Sequence, residues 1–255
     1  MIYKTNFQGF KITKERIDKL MVSNGLAKSR EQASSLLMSG NVFVNEKRVE
    51  KPGQQVQTDS KIEIKGKTYP WVSRGGVKLE KAILEFNLNC NSIIALDIGA
   101  STGGFTDVLL SRGAKKIYAV DVGYGQLDWK LRQDERVIVK EKTNARFLTD
   151  QIIKDPLDVI VCDASFISLK KVLLPGLSLL KTKGWLAALI KPQFEVGKGL
   201  VGKGGVVRDP ELHQEVITDI KNWVQYDMKM NLSGVVESPL LGPSGNKEFV
   251  IVATK

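Results

Sequence analysis

The chain has a single histidine, His213, and only two cysteines, Cys90 and Cys162, in 255 residues. There is no C-x-x-C pair and no cluster of His with Cys, so no zinc or other metal site is expected, nor a disulfide framework, nor histidine acid/base chemistry. No uninterrupted apolar run approaches the roughly 18 residues needed to cross a bilayer. The first ten residues carry Lys4, Asn6 and Gln8 and lack the apolar centre of a secretory signal. A soluble protein of the reducing cytoplasm, without stable membrane association, is the expectation. The sequence also lacks G-x-G-x-x-G, so the dinucleotide fingerprint is missing and NAD is a poor fit.

What is plentiful is positive charge. Lys and Arg number 38 against 28 Asp and Glu, a net charge of +10, which favours a polyanionic partner such as nucleic acid or an anionic membrane surface. The excess is concentrated at the start: residues 1–70 hold thirteen Lys or Arg and seven Asp or Glu, an excess of six. Length suits one large domain plus a small one.

Residues 13–66 read as a compact αα-then-β unit. Ile17, Leu20 and Met21 fall at i, i+3, i+4 within Lys14–Val22, and Gly25 is placed to end that helix. A second helix starts at a Ser29 cap, carries Ala33, Leu36 and Leu37 inward, and stops at Gly40. Short strands are expected around 42–45, 48–49 and 61–65, with turns at Lys51-Pro52-Gly53 and Asp59-Ser60. The domain boundaries that follow are 1–66 for this unit, 67–80 for a joining segment that includes the start of a helix, and 81–255 for the remainder.

The run Arg16-Ile17-Asp18-Lys19-Leu20, Leu26-Ala27-x-Ser29-Arg30, Ala33 and Val42-x-Val44-Asn45 resembles the S-four-type RNA-binding domain. The resemblance implies a grip on structured RNA, with Arg16, Lys28, Ser29 and Arg30 facing phosphates. Arg74, in the joining segment, is expected to add to that contact.

From Ile93 onward, apolar strands alternate with helical stretches, with strands near 93–97, 116–121, 136–140, 157–162, 184–190, 232–237 and 247–253. Such alternation predicts a mostly parallel sheet with helices on both faces, and the short gap before the last strand predicts an antiparallel pair at one edge. In such a sheet ligands sit beyond the carboxyl ends of the strands, where a glycine turn lets backbone approach. Asp97-x-Gly99-x-x-x-Gly103-Gly104 is such a turn, and Asp121 ends the next strand 24 residues after Asp97, where an acid can accept from ribose hydroxyls. Together these features resemble the Rossmann-like fold of S-adenosylmethionine-dependent methyltransferases. By that resemblance Asp97, Gly99, Ser101, Gly103, Gly104 and Phe105 surround the methionine part of S-adenosylmethionine. Asp121 and Val122 meet its ribose and adenine, Asn144 or Ala145 the adenine edge, and Asp163 its sulfonium side.

Four charged residues lie at segment ends that this fold draws to one point: Lys78 in the first helix, Asp163 after Val159–Cys162, Lys191 after Ala187–Ile190, and Glu248 at the head of the last strand. Two cations and two anions can meet there without large net charge. Methyl transfer to a ribose 2′-hydroxyl benefits from removing the hydroxyl proton, and with no useful histidine a lysine can serve once its surroundings favour the neutral amine. Lys191 is the candidate base, Asp163 orients it, Lys78 favours its neutral form and holds the oxygen, and Glu248 positions Lys78.

This set resembles the Lys-Asp-Lys-Glu tetrad of FtsJ-like 2′-O-ribose methyltransferases. The segments Ser73-Arg74-Gly75-Gly76-x-Lys78, Leu96–Asp107, Tyr118–Leu127, Asp163-x-Ser165-Phe166-Ile167-Ser168-Leu169, Ile190–Glu195, Gly204–Pro210 and Gly242-Pro243-x-Gly245-Asn246-x-Glu248-Phe249 resemble the TlyA family of ribosomal RNA cytidine 2′-O-methyltransferases, often labelled haemolysins. Ribosomal RNA or ribosomal subunits are the partners so implied. Two rivals come from other classes: a membrane-active haemolysin, and an RNA-binding protein with an inactive methyltransferase fold. The glycine-rich stretch 197–205 reads either as a linker or as a loop that orders around substrate. His213 is assigned to a surface or packing role, and Trp71 to hinge packing or base stacking.

Overall fold

The computed structural model describes residues 13–27, 29–65 and 69–255. Lys28 lies outside them. The chain divides into two compact units between Thr68 and Tyr69.

In the first unit, strand β1 (Lys14–Arg16) leads directly into helix α1 (Ile17–Ser23), and helix α2 (Arg30–Met38) follows. The apolar spacing predicts one helix from Lys14. Instead residues 14–16 are extended and pair antiparallel with β4 (Gln55–Gln57), a partner that neither segment's own pattern announces. Ser29 does cap α2, its side chain accepting the N–H of Gln32 at 3.2 Å. Strands β2 (Val42–Val44), β3 (Lys47–Arg48) and β5 (Ile62–Ile64) form a small sheet in the order β3-β2-β5. Ile17, Leu20, Met21, Ala33, Leu37, Val42 and Val44 close a core between helices and strands.

The second unit carries seven strands: β6 (Ile94–Ile98), β7 (Lys116–Val120), β8 (Val137–Lys140), β9 (Leu157–Cys162), β10 (Leu180–Ile190), β11 (Asn231–Glu237) and β12 (Phe249–Thr254), in the order β11-β12-β10-β9-β6-β7-β8. β6 to β10 are parallel where they pair, and β12 runs antiparallel to both β10 and β11. Strand alternation divides the core in two. Leu96, Ile98, Ile160, Leu186 and Ile251 face α6 (Leu169–Leu179) and α8 (Pro210–Asn222). Ala95, Ile117, Val159, Ala187 and Val250 face α3 (Gly75–Glu85) and α4 (Gly104–Ser111). Two short helices complete the named elements, α5 (Trp129–Arg132) and α7 (Pro192–Glu195). Among the described residues no helix is long and apolar enough to cross a membrane.

The segment after Thr68 packs into the second unit. The Val72 N–H donates to Asp107 Oδ2 at 2.7 Å, and Trp71 lies against Gly76, where an added side-chain carbon would come within 2.9 Å of the indole. The chain order crosses from the β6-β7-β8 side to β9 and β10, which places the topological switch between β6 and β9. That is where a doubly wound sheet opens a crevice at its carboxyl edge.

Candidate active site

Sheet register assembles the site. Ile98 and Ala188 both lie beside Cys162, and Ile190 lies beside Phe249. Asp163 is therefore one residue past the strand that borders the glycine turn, and its N–H donates to Ile98 O at 3.0 Å. Lys191 leaves β10 next to the place where Glu248 enters β12, because β12 is reversed.

Glu248 Oε2 accepts from the Lys78 ammonium at 2.6 Å, and Lys78 Nζ stands 3.7 Å from Asp163 Oδ2. The other Asp163 oxygen, Oδ1, lies 2.6 Å from Lys191 Nζ. Lys191 also donates to Ser165 Oγ at 2.9 Å and to the Asp163 carbonyl at 3.1 Å. Asp163 thus bridges two ammonium groups, and all four candidate catalytic residues meet. Lys78 and Lys191 are each 5% exposed and Glu248 1%, so these charges interact in a medium that screens them poorly.

The electrostatic consequences have definite signs. Burial depresses the Lys78 pKa, but the Asp163 and Glu248 carboxylates outweigh it and hold Lys78 above the usual lysine range. Burial also raises Asp163, yet Lys191 and Lys78 more than compensate and keep it below the usual carboxylate range. Lys191 Nζ donates to two oxygens and stands in an ion pair with Asp163 Oδ1, a buried oxygen that has no hydrogen bond of its own. To act as a base Lys191 must first give up an ammonium proton.

The glycine turn shows why glycine is needed. Gly99 and Gly103 have φ of +79° and +95°, a region that costs other residues steric strain. A side-chain carbon on Gly99 would approach Ala164 Cα to 2.9 Å, and one on Gly103 would collide with Leu131 and come within 2.8 Å of Leu127. Gly104 begins α4 hard against Ser73 and the Gly76 backbone. Ser101, at φ +49°, donates its N–H to Asp121 Oδ2 at 2.8 Å, and Gly123 donates to Oδ1 at 2.7 Å. Asp121 therefore straps the glycine loop to the turn after β7, each oxygen retaining a second lone pair. Val122 beside it is 70% exposed.

Asp97 lies on the α4 face of the sheet and is fully buried. Its Oδ2 accepts from the Thr106 hydroxyl at 2.6 Å, while Oδ1 has no hydrogen-bond partner. Burial pushes its pKa up to about 7, against the Thr106 hydrogen bond and with added repulsion from Asp163 and Asp121. Phe105 packs its ring into the core beside α3. Asn144 turns its carboxamide oxygen to the Arg146 N–H at 3.1 Å, and Ala145 is buried.

In the first unit, Arg16, Ser29 and Arg30, expected to face phosphates, have partners of their own. Asp18, 2% exposed, receives Arg16 Nη2 at 2.9 Å and Arg30 Nη2 at 2.7 Å. The Arg16 hydrogen bond and then Arg30, working against burial, hold Asp18 well below the usual carboxylate range. Both guanidinium groups nevertheless stay about half exposed. Arg74 precedes α3, and its charge bears on Lys78 and Asp163.

Asn246 and Glu195 stand within the family-like segments of the sequence, which assign them no role. The buried Asn246 accepts the Val207 N–H at 3.0 Å and donates to Gly205 O at 2.9 Å. It pins the glycine-rich stretch, whose Gly202 and Val206 form a bridge, beside the loop leading to Glu248. His213 packs there, with Nε2 2.9 Å from Val207 O and its ring edge-on to Phe249. Asn246 sits in a Gly-Pro-x-Gly-Asn turn, which a sequence reading takes for a turn former and nothing more.

Comparison with known proteins identifies the family and the fold. The chain is 45% identical over 237 residues to the 16S/23S rRNA (cytidine-2′-O)-methyltransferase TlyA of Mycobacterium tuberculosis, a match covering 92% of this chain and 88% of the relative. A solved structure from Streptococcus thermophilus, called a hemolysin, superposes with a TM-score of 0.73 at 42% identity, covering 96% of this chain and 90% of that one. Fibrillarin of Aeropyrum pernix, solved with natively bound S-adenosyl-L-methionine, shares the fold alone, with a TM-score of 0.50 at 15% identity over 84% of this chain and 94% of its own. Residues 15–62 match the S4 domain and residues 71–255 match FtsJ-like methyltransferase. The chain belongs to the FtsJ-like methyltransferase family and carries an S4 domain ahead of its catalytic unit.

Proposed function

We propose that this protein transfers a methyl group from S-adenosylmethionine to a ribose 2′-hydroxyl of ribosomal RNA, at a cytidine, as the mycobacterial relative's name states for that enzyme. The observation that carries this reading is the Asp163 carboxylate bridging the Lys78 and Lys191 ammonium groups beside the glycine turn. S-adenosylmethionine supplies an electrophilic methyl group when bound. The residues present suit it: a glycine turn whose backbone is open to close approach, Asp121 with spare lone pairs, an exposed Val122, and an unpartnered Asp97 Oδ1 near which a cationic ligand is favoured. Asn144 and Ala145 follow β8 at the same sheet edge.

In this reading the hydroxyl oxygen would take the methyl group that S-adenosylmethionine supplies, and its proton passes to the Lys191 amine, formed by prior loss of one ammonium proton to solvent. Lys78, fixed by Glu248, stabilises the developing charge on that oxygen. Asp163 aligns both lysines, and its negative charge favours a nearby sulfonium. The S4 domain supplies affinity for RNA through Arg16, Lys28, Ser29 and Arg30, with Arg74 adding a cation near the reacting groups.

Mapping ribose methyls on ribosomal RNA treated with the protein tests the assignment. The wild type should add a 2′-O-methyl, and Lys191→Ala should lose transfer while calorimetry shows unchanged S-adenosylmethionine affinity. Absence of any new ribose methyl with intact subunits would sink the proposed activity. Near-normal turnover by Lys191→Ala would sink only the choice of base. Liposome leakage, measured alongside, separates the membrane-active alternative.

A further inference from the structure

Outside the charged tetrad, one carboxylate connects the two loops that carry Asp163 and Lys191. Glu195, the last residue of α7, accepts the N–H of Leu169 on its Oε1 at 2.8 Å. Leu169 is the first residue of α6, and Ser168, at the cap position of α6, makes no capping bond with its own side chain. The exposed N–H groups of a helix start need acceptors. Here one acceptor comes from another loop.

The five residues 191–195 hold the loop 163–169 at several points. Lys191 reaches Asp163 and Ser165 at one end, and Glu195 reaches Leu169 at the other. Between them the rings of Phe194 and Phe166 lie 5.0 Å apart. Phe166 itself is 89% exposed and has φ +65°, with the Phe194 ring as its neighbour on the second loop. The loop bearing Asp163 is thus held in place from the loop bearing Lys191.

We propose that Glu195 is a positioning residue for methyl transfer: by capping α6 from α7, its carboxylate fixes the 163–168 loop and so keeps Asp163 between the two lysines. The inference rests on the reading that this tetrad performs the chemistry. A negative charge suits the site, because a carboxylate at a helix start gains from the helix dipole and makes a stronger hydrogen bond than a neutral group. The charged groups around it are Lys170 on α6 and Asp219 on α8, paired with each other at 2.7 Å. The Ser168 hydroxyl is the polar neighbour on the loop. Burial pushes the Glu195 carboxyl above the usual range, against the Leu169 N–H and Ser168. Acid therefore neutralises it earlier than an ordinary glutamate.

Single-turnover methyl transfer to ribosomal subunits, at saturating S-adenosylmethionine and between pH 5.5 and 8, compares wild type, Glu195→Gln and Glu195→Ala. Glu195→Ala should be slower by about tenfold, the fold-change carried by one lost charge-assisted hydrogen bond. Glu195→Gln, which keeps an acceptor but no charge, should fall between. The wild-type-to-Gln ratio should shrink toward one as pH falls, because protonation makes the wild type resemble the amide. Cofactor affinity should fall less than the rate in both variants, because Asp121 and the glycine turn make no contact with Glu195. The proposal is overturned if Glu195→Ala reacts at the wild-type rate or if Gln is no better than Ala. Should Glu195→Ala lose cofactor binding through misfolding, the isosteric Gln comparison decides alone, and a Gln variant at the wild-type rate at pH 8 overturns the proposal. A fully active Lys191→Ala would instead refute the underlying reading of the tetrad, whatever Glu195 does.

Discussion

Glu248→Gln is the most informative single change, because it removes one charge and almost no volume from the most buried pair in the site. Glu248 lies 2.6 Å from Lys78, and both are almost wholly shielded from water. Removing one partner of such a pair typically costs about 3–5 kcal/mol. Two features reduce that here: the amide oxygen still accepts from Lys78, and Asp163 remains 3.7 Å away. A loss of about 2 kcal/mol is therefore expected. For a unit of this size it corresponds to a Tm lower by about 4–8 °C.

The cost should also depend on pH, and the sign follows from Lys78. In the wild type its folded pKa exceeds the unfolded value, so the charged lysine contributes stability throughout the range below about 10.4 and loses it only as pH rises through the folded pKa. Without Glu248, burial is opposed by Asp163 alone and the folded pKa drops. Between that lowered value and about 10.4 the unfolded chain then binds more protons, so the variant gains stability as pH rises. Thermal unfolding followed by near-ultraviolet circular dichroism at pH 7 and pH 9.5 should show the gap to wild type narrowing. A Lys78→Met change should cost less in the Glu248→Gln background than in the wild type. Equal Tm values for wild type and variant, or a gap that widens with pH, would refute this account of the pair.

Three further outcomes are expected. Gly103→Val should abolish S-adenosylmethionine binding by calorimetry, since φ +95° and contact with Leu127 and Leu131 leave a side chain no room; retained affinity would mean the turn can move. Asp97, raised to about 7 in the folded state, binds its proton more tightly there than when unfolded, so its contribution to stability is full below about pH 4 and declines as pH rises through 7. Asp97→Asn should accordingly unfold at higher urea than wild type at pH 8 and close to it at pH 5, and wild-type cofactor affinity should weaken below pH 7; a variant less stable at pH 8 would contradict this. Arg30→Gln should reduce the slope of log affinity for ribosomal RNA against log salt by roughly 0.7–0.9, the share of one phosphate contact; an unchanged slope would show the Arg30 charge spent on Asp18.

The site was legible in sequence where chemistry coincides with strand ends. Asp163 and Lys191 each follow an apolar strand, Asp97 is the next-to-last residue of one, and a sheet with one reversed strand must bring Glu248 to the same edge. The reversal itself was readable from the short interval between β11 and β12. Contacts made across loops were not readable. The Glu195 bond to Leu169 and the Asn246 bonds to Gly205 and Val207 join segments separated in sequence by 26 and by 39 to 41 residues, and no local period encodes them. The β1–β4 pairing escaped for the same reason, since Lys14–Arg16 has no apolar alternation of its own. β10 begins at Leu180, four residues before the expected strand, because α6 runs into it with no glycine or proline between them and the register shift lies between Leu180 and Trp185.

The reversed strand also sets an order of events. The Lys78–Glu248 contact joins residues 170 positions apart, and β12 must slot between β10 and β11 before it can form. Contacts so distant along the chain close late, after the loop entropy has been met by other pairings. A sheet built from β6 to β10 holds the glycine turn, Asp163 and Lys191, and leaves Lys78 with Asp163 but without Glu248. Glu248 enters with the final strand, so the charged set is completed by the one strand that runs against the rest of the site.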